Sequence, residues 1–111
     1  MKIYVAGKVS DLERKDVLMK FELSKRTLLK NGHHPFIPCV LPDYDDVAHD
    51  DYIHICYAII DVCDAIYMQK DWQQSQGARM ELQYAADWRK KIFYEDENTI
   101  EDDFPIRRTL K

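Results

Sequence analysis

Lys2-Ile-Tyr-Val-Ala6 is rich in β-branched and aromatic side chains and stops at Gly7, the pattern of a strand running into a turn. Apolar residues then recur at helical spacing, Val17, Leu18, Phe21, Leu28 and Leu29, with Asp11 placed to cap a helix and Asn31-Gly32 placed to end it. The spacing predicts one amphipathic helix from about Asp11 to Lys30. His34-Pro-Phe-Ile37 reads as a short second strand, and the flanking Pro35 and Pro38 suit an edge position, because proline donates no ladder hydrogen bond. An acidic loop follows. From about His49 to Val62 apolar residues are dense, with Ile53, Tyr57 and Ile60 on one face, which predicts a buried helix. Asp64-Ala-Ile-Tyr-Met68 is a third strand. Beyond the polar stretch Gln69 to Gln76, the residues Ala78, Leu82, Ala85 and Ala86 mark a third helix, and Lys91-Ile-Phe-Tyr94 a fourth strand.

Strands that alternate with helices are βαβ units, and right-handed crossovers turn them into a parallel sheet with helices on both faces. The expectation is therefore an α/β chain with a three-layer, flavodoxin- or Rossmann-like domain and a four- to five-stranded parallel sheet. It spans residues 1–94, and residues 95–111 form a charged C-terminal extension. Ligands of such sheets bind at the carboxyl ends of the strands. A length of 111 residues fits one domain with one core. Cys39, Cys56 and Cys63 are odd in number and lack CxxC spacing, so they read as reduced thiols of a cytoplasmic protein. No apolar run approaches the roughly 20 residues of a membrane helix, and the first strand begins without a signal peptide, so no membrane partner is expected.

The net charge of −4 argues against a nucleic-acid polymer as partner, since such binders need a basic face. Residues 41–64 hold seven acidic side chains and no basic one. Asp43, Asp45, Asp46, Asp50 and Asp51 lack the glycine and distant glutamate of a calcium loop and read as a solvated acidic segment. His33, His34, His49 and His54 form no helical metal pair. Neither a metal nor a cofactor is expected. Only three glycines occur, Gly7, Gly32 and Gly77, which excludes both GxGxxG and Walker phosphate loops.

Two strand ends should face one crevice: Ala6-Gly7-Lys8 after the first strand, and the loop leading to Ser75-Gln-Gly-Ala-Arg-Met-Glu81 after the third. Ser75 can cap the third helix, Gly77 lets its first turn approach a ligand closely, and Lys8 adds a positive charge, a set suited to a small anion. Glu81 lies one helical turn beyond the cap, on the side of Ala78 and Ala85. A carboxylate near a helix N-terminus is favoured to stay ionised, and an ionised carboxylate in a crevice is a nucleophile toward an electrophilic carbon. Tyr4 lies two residues before its strand end, where its hydroxyl can reach the crevice floor. Each also has a plain structural use: Ser75 as a cap, Lys8 as a turn residue, Glu81 as a dipole partner and Tyr4 as core. Trp72 either walls the crevice or seals the core edge.

These residues resemble the nucleoside 2-deoxyribosyltransferase-like superfamily, including its small uncharacterised members and the deoxynucleoside 5′-monophosphate N-glycosidases. Three pieces carry the resemblance over residues 2–94: Lys2-Ile-Tyr-Val-Ala-Gly7, Cys63-Asp-Ala-Ile-Tyr-Met68 and Ser75-Gln-Gly-Ala-Arg-Met-Glu-Leu-Gln-Tyr-Ala85. The resemblance implies that Glu81 attacks the anomeric carbon, giving a covalent glycosyl-enzyme that water or an acceptor base resolves, with Tyr4 orienting it. It implies that Ser75, six residues before the glutamate, binds a 5′-phosphate with Lys8 as a second contact; Gly77 joins them at the phosphate, and Gly7 lines the same substrate site. A homodimer or higher homo-oligomer acting on a nucleoside or nucleotide is expected.

One departure stands out. The family usually carries an aspartate eight residues before the aspartate that opens the third strand, where it binds the substrate and can protonate the departing base, and here that substrate-binding position is Cys56. A thiol does not replace a carboxylic acid in that role. Protonation then comes from elsewhere, such as His54 or a partner subunit, or the base leaves unassisted. Two other functions stay open: a non-catalytic nucleotide or sugar-phosphate binder, and an enzyme cleaving a nicotinamide dinucleotide or related signalling nucleotide.

Overall fold

The computed structural model describes residues 1–37 and 44–95. Pro38, Cys39, Asp43 and the extension from residue 96 onward lie outside the described residues. Four strands, β1 (Lys2–Ala6), β2 (His34–Phe36), β3 (Ala65–Met68) and β4 (Lys91–Tyr94), form an all-parallel sheet in the order β2-β1-β3-β4. They are joined through helices α1 (Arg14–Lys30), α2 (His49–Val62) and α3 (Gln76–Asp87). The three-layer α/β expectation holds, with four strands among the described residues.

Each strand divides its side chains between the two faces, as the two-residue period dictates. Ile3, Val5, Ala65, Tyr67 and Phe93 pack with Val17, Phe21 and Leu28 of α1. Tyr4, Ala6, Ile66, Met68 and Ile92 pack on the other face with Cys56 and Ile60 of α2 and Ala78 and Ala85 of α3. β1 and β3 are thus covered on both sides, and each fully buried Ile, Leu or Met contributes roughly 2 kcal/mol. β2 occupies an edge, where Pro35 pairs with Ile3, as its proline requires. The connections out of β1 and β3 lead to opposite edges of the sheet. The switch point of the sheet therefore lies between β1 and β3, and in sheets of this kind ligands bind at the carboxyl ends of those strands.

The helices differ from expectation at their margins. α1 starts at Arg14, because Asp11 adopts a left-handed conformation (φ 68°) within the turn and cannot cap. Glu13 holds the N-cap position without a side-chain bond. The buried stripe of α1 is Val17, Phe21, Ser24 and Leu28, while Leu18 and Leu29, each one position further round, remain 42% and 49% exposed. The helix ends where expected: Gly32 at φ 83° lets the His33 N–H reach back to the Leu28 carbonyl at 2.9 Å. α3 ends in the same way, with the Lys90 N–H on the Ala85 carbonyl at 2.9 Å, yet there Arg89 takes the left-handed position at φ 61°. α2 has the expected bounds, but it is buried on one side only. As an outer-layer helix it hides Cys56 and Ile60 and leaves Ile55 and Val62 exposed. The Asp51 carboxylate accepts the Ala48 N–H at 2.9 Å and fixes its start.

Candidate functional site

Tyr4 is the residue of β1 that points from the centre of the sheet into the layer of α2 and α3. Ala78 and Ala85 on α3 are small and buried, so the helix lies close to the sheet and Glu81 between them reaches inward. The Tyr4 hydroxyl donates to Glu81 Oε2 at 2.7 Å. Cys56, one of the two buried residues of α2 on this side, hydrogen-bonds with the same pair. Three elements far apart in sequence thus converge on one carboxyl group.

The electrostatics of that group differ from expectation. Burial raises the Glu81 carboxyl from its ordinary 4.5 to about 7, against the opposing hydrogen bonds from Tyr4 and Cys56. The N-terminal dipole of α3 does not keep it at an ordinary value, because Glu81 is the sixth residue of the helix and the dipole fades beyond the first turn. Among the described residues no cation pairs with it. Burial likewise pushes the Cys56 thiol up to about 11 and holds the Tyr4 hydroxyl well above its ordinary value. Tyr57, whose ring stacks on Tyr84 of α3 at 4.1 Å, is raised by burial and then by Glu81.

Ser75 caps α3 as expected: its Oγ accepts the Ala78 N–H at 3.0 Å, and the residue is buried. A Cβ on Gly77 would meet nothing closer than Ser75 Oγ at 3.9 Å, so the first turn of α3 is open to an approaching group. Gly7 serves a different neighbour from the one expected. A Cβ there would lie 2.0 Å from Gln69 Oε1, so the missing side chain makes room for Gln69. Lys8 is held through its backbone: its N–H donates to Asp71 Oδ1 at 3.0 Å and its carbonyl accepts from Lys20 Nζ at 2.8 Å.

Lys20 was not among the expected site residues, yet it binds the two crevice loops together. Its ammonium reaches Lys8 O, Gln69 Oε1 at 2.6 Å and Asp71 Oδ2 at 3.1 Å, while Gln69 Nε2 donates to Ser24 Oγ at 2.9 Å and to Lys20 O. The available signal was the presence of Lys20 and Ser24, one turn apart, within the inward stripe of α1. Trp72 sits in a short helical turn, Trp72–Gln74, tilted against Tyr94 at 5.9 Å and packed on the core edge. His54 is exposed, and His49 is too. Cys56 and Cys63 are free thiols. Among the described residues no three His, Cys, Asp or Glu side chains gather as metal ligands, and no helix is long and apolar enough to cross a membrane.

A family model for a domain of unknown function, DUF4406, matches residues 1–94. Among solved structures the fold is similar to that of 2-desoxiribosyltransferase from Leishmania mexicana, at 21% identity and a TM-score of 0.63, over 84% of this chain and 62% of that one. It is similar to that of 2-deoxyribosyltransferase from the psychrotolerant bacterium Bacillus psychrosaccharolyticus, at 21% identity and a TM-score of 0.62, over 85% of this chain and 71% of that one. A conserved protein from Enterococcus faecalis V583 matches at 16% identity and a TM-score of 0.66, over 85% of this chain and 62% of that one. At these identities the likeness is one of fold, and the chain spans only 62–71% of the length of these relatives. No curated protein matches.

Proposed function

The chain belongs to the DUF4406 family, and from that premise we propose that its crevice cleaves or transfers the N-glycosidic bond of a nucleoside or nucleoside 5′-monophosphate. The observation that carries this reading is the Glu81 carboxyl, held by Tyr4 of β1 at 2.7 Å with no cation against it among the described residues. A carboxylate whose proton leaves near pH 7 is more basic, and so a better nucleophile, than an ordinary one, while a large fraction stays ionised at neutrality. The two named transferases with this fold support the same reaction class.

In this mechanism Tyr4 fixes one oxygen of Glu81, and the carboxylate attacks the anomeric carbon as the bond to the base breaks. Water or an acceptor base then resolves the glycosyl ester. Ser75, the open first turn at Gly77 and the loop of Gly7 and Lys8 hold the 5′-phosphate, since the first-turn N–H groups of a helix favour an anion. Incubation with a panel of nucleosides and nucleoside monophosphates should release free base, and Glu81→Ala should abolish release while ligand binding stays measurable. Unchanged release from that variant overturns the mechanism. The Cys56 thiol beside Glu81 favours a second reading, a nucleotide binder without turnover, which calorimetry showing tight binding and no base release would select.

A further inference from the structure

Around Glu81 the described residues place three protic side chains: the Tyr4 hydroxyl from β1, and Cys56 and Tyr57 from α2. None of them is an acid at neutral pH, since burial raises all three above their ordinary values. The other titratable groups of α2 do not replace them. His54 is exposed and lies roughly 200° round the helix from Cys56, His49, Asp50 and Asp51 are exposed at the helix start, and Asp61 is engaged by the Tyr84 hydroxyl at 2.6 Å. A neutral purine or pyrimidine leaves as an anion unless it is protonated. A base that already carries a positive charge leaves neutral.

A second feature of the same site points the same way. Glu81 is a half-buried carboxyl with no counter-charge among the described residues, and an unpaired charge withdrawn from water is costly. A cationic ring seated over the anomeric centre supplies that counter-charge and favours the ionised, nucleophilic form of Glu81. Resting on the reading of Glu81 given above, we propose that the site selects N-glycosides whose base is cationic, such as pyridinium or N7-alkylated purine nucleotides, and that Cys56 sets this selectivity. In the step, a Glu81 oxygen bonds to C1′ as the C1′–N bond breaks. The electron pair of that bond passes to the ring nitrogen and cancels its charge, so no proton is transferred to the base. Water then hydrolyses the ester, regenerating the carboxylate and releasing one proton to solvent.

The test compares kcat/KM of the full chain for 7-methylguanosine 5′-monophosphate and guanosine 5′-monophosphate, and for the 2′-deoxy form of each, by release of base. The expected ratio favours the methylated member at least 100-fold, and Cys56→Asp narrows it at least 10-fold by gaining on the neutral substrate. The wild-type ratio decides even if the Cys56→Asp chain does not fold. Neutral and cationic substrates cleaved within 10-fold of each other, both dependent on Glu81, overturn the selectivity and leave the glycosidic reading standing. No release from either pair overturns both.

Discussion

Two polar clusters sit at the same end of the sheet, on opposite faces, and they handle charge differently. On the α1 face, Lys20 meets Asp71 at 3.1 Å and Gln69 at 2.6 Å, and every polar group in the knot has a partner. On the α2 and α3 face, Glu81 meets a phenol and a thiol, both neutral, and no cation among the described residues. The first arrangement offsets the cost of burying charge and ties the loops after β1 and β3 into a rigid frame. The second leaves that cost in place, and under the proposed mechanism this suits a group that gains and loses charge during the reaction.

The contrast breaks first at Glu81. Its folded carboxyl holds a proton up to about pH 7, whereas the unfolded one releases it near 4.5, so stability is full below the lower value and falls as pH rises through the upper one. The gap between 4.5 and about 7 corresponds to about 3 kcal/mol, and Glu81→Gln should remove that slope, as read from urea midpoints between pH 4 and 9. An unchanged slope in the variant would mean that Glu81 is not the unpaired charge. Lys20→Met should behave in the opposite manner. It should cost about 2 kcal/mol, less than a fully buried pair because both partners are 23% exposed, while keeping the wild-type pH slope.

Smaller effects sharpen the same division. Ser75→Ala removes the cap of α3 and should cost about 1 kcal/mol. If the first turn holds a phosphate, it should also raise KM for monophosphates more than for nucleosides, and equal effects on both would remove Ser75 from the phosphate site. Arg89→Gly relieves a left-handed residue away from both clusters and should raise stability by up to about 1 kcal/mol, seen as a higher Tm with base release unaltered.

Much of this fold is legible along the chain because it is set by local signals. The bounds of α2 and β4, the Ser75 cap, the Gly32 stop and the edge position of the proline-bearing β2 all follow from residues within one turn or one strand. Local signals also mislead: Asp11 has the chemistry of a cap but lies in a left-handed turn, and Arg89 holds a position usually marked by glycine. The meeting of Tyr4, Cys56 and Glu81 was reached through family resemblance. The loss of an ordinary acidity at Glu81 was not, because it depends on how deeply three elements bury the carboxyl rather than on its place in α3. The Lys20 knot was missed for a related reason, since it joins α1 to a loop 49 residues away.

The central claim is that Glu81 becomes covalently bonded to the sugar. A 2′-fluoroarabinosyl nucleoside 5′-monophosphate forms a glycosyl ester that hydrolyses slowly, because the fluorine disfavours the cationic transition state. Mass spectrometry of the digested protein after brief incubation should show one glycosyl phosphate unit added to the peptide holding Glu81, located on that side chain and absent from Glu81→Gln. Release of base with no adduct, or an adduct on another residue, would contradict the account.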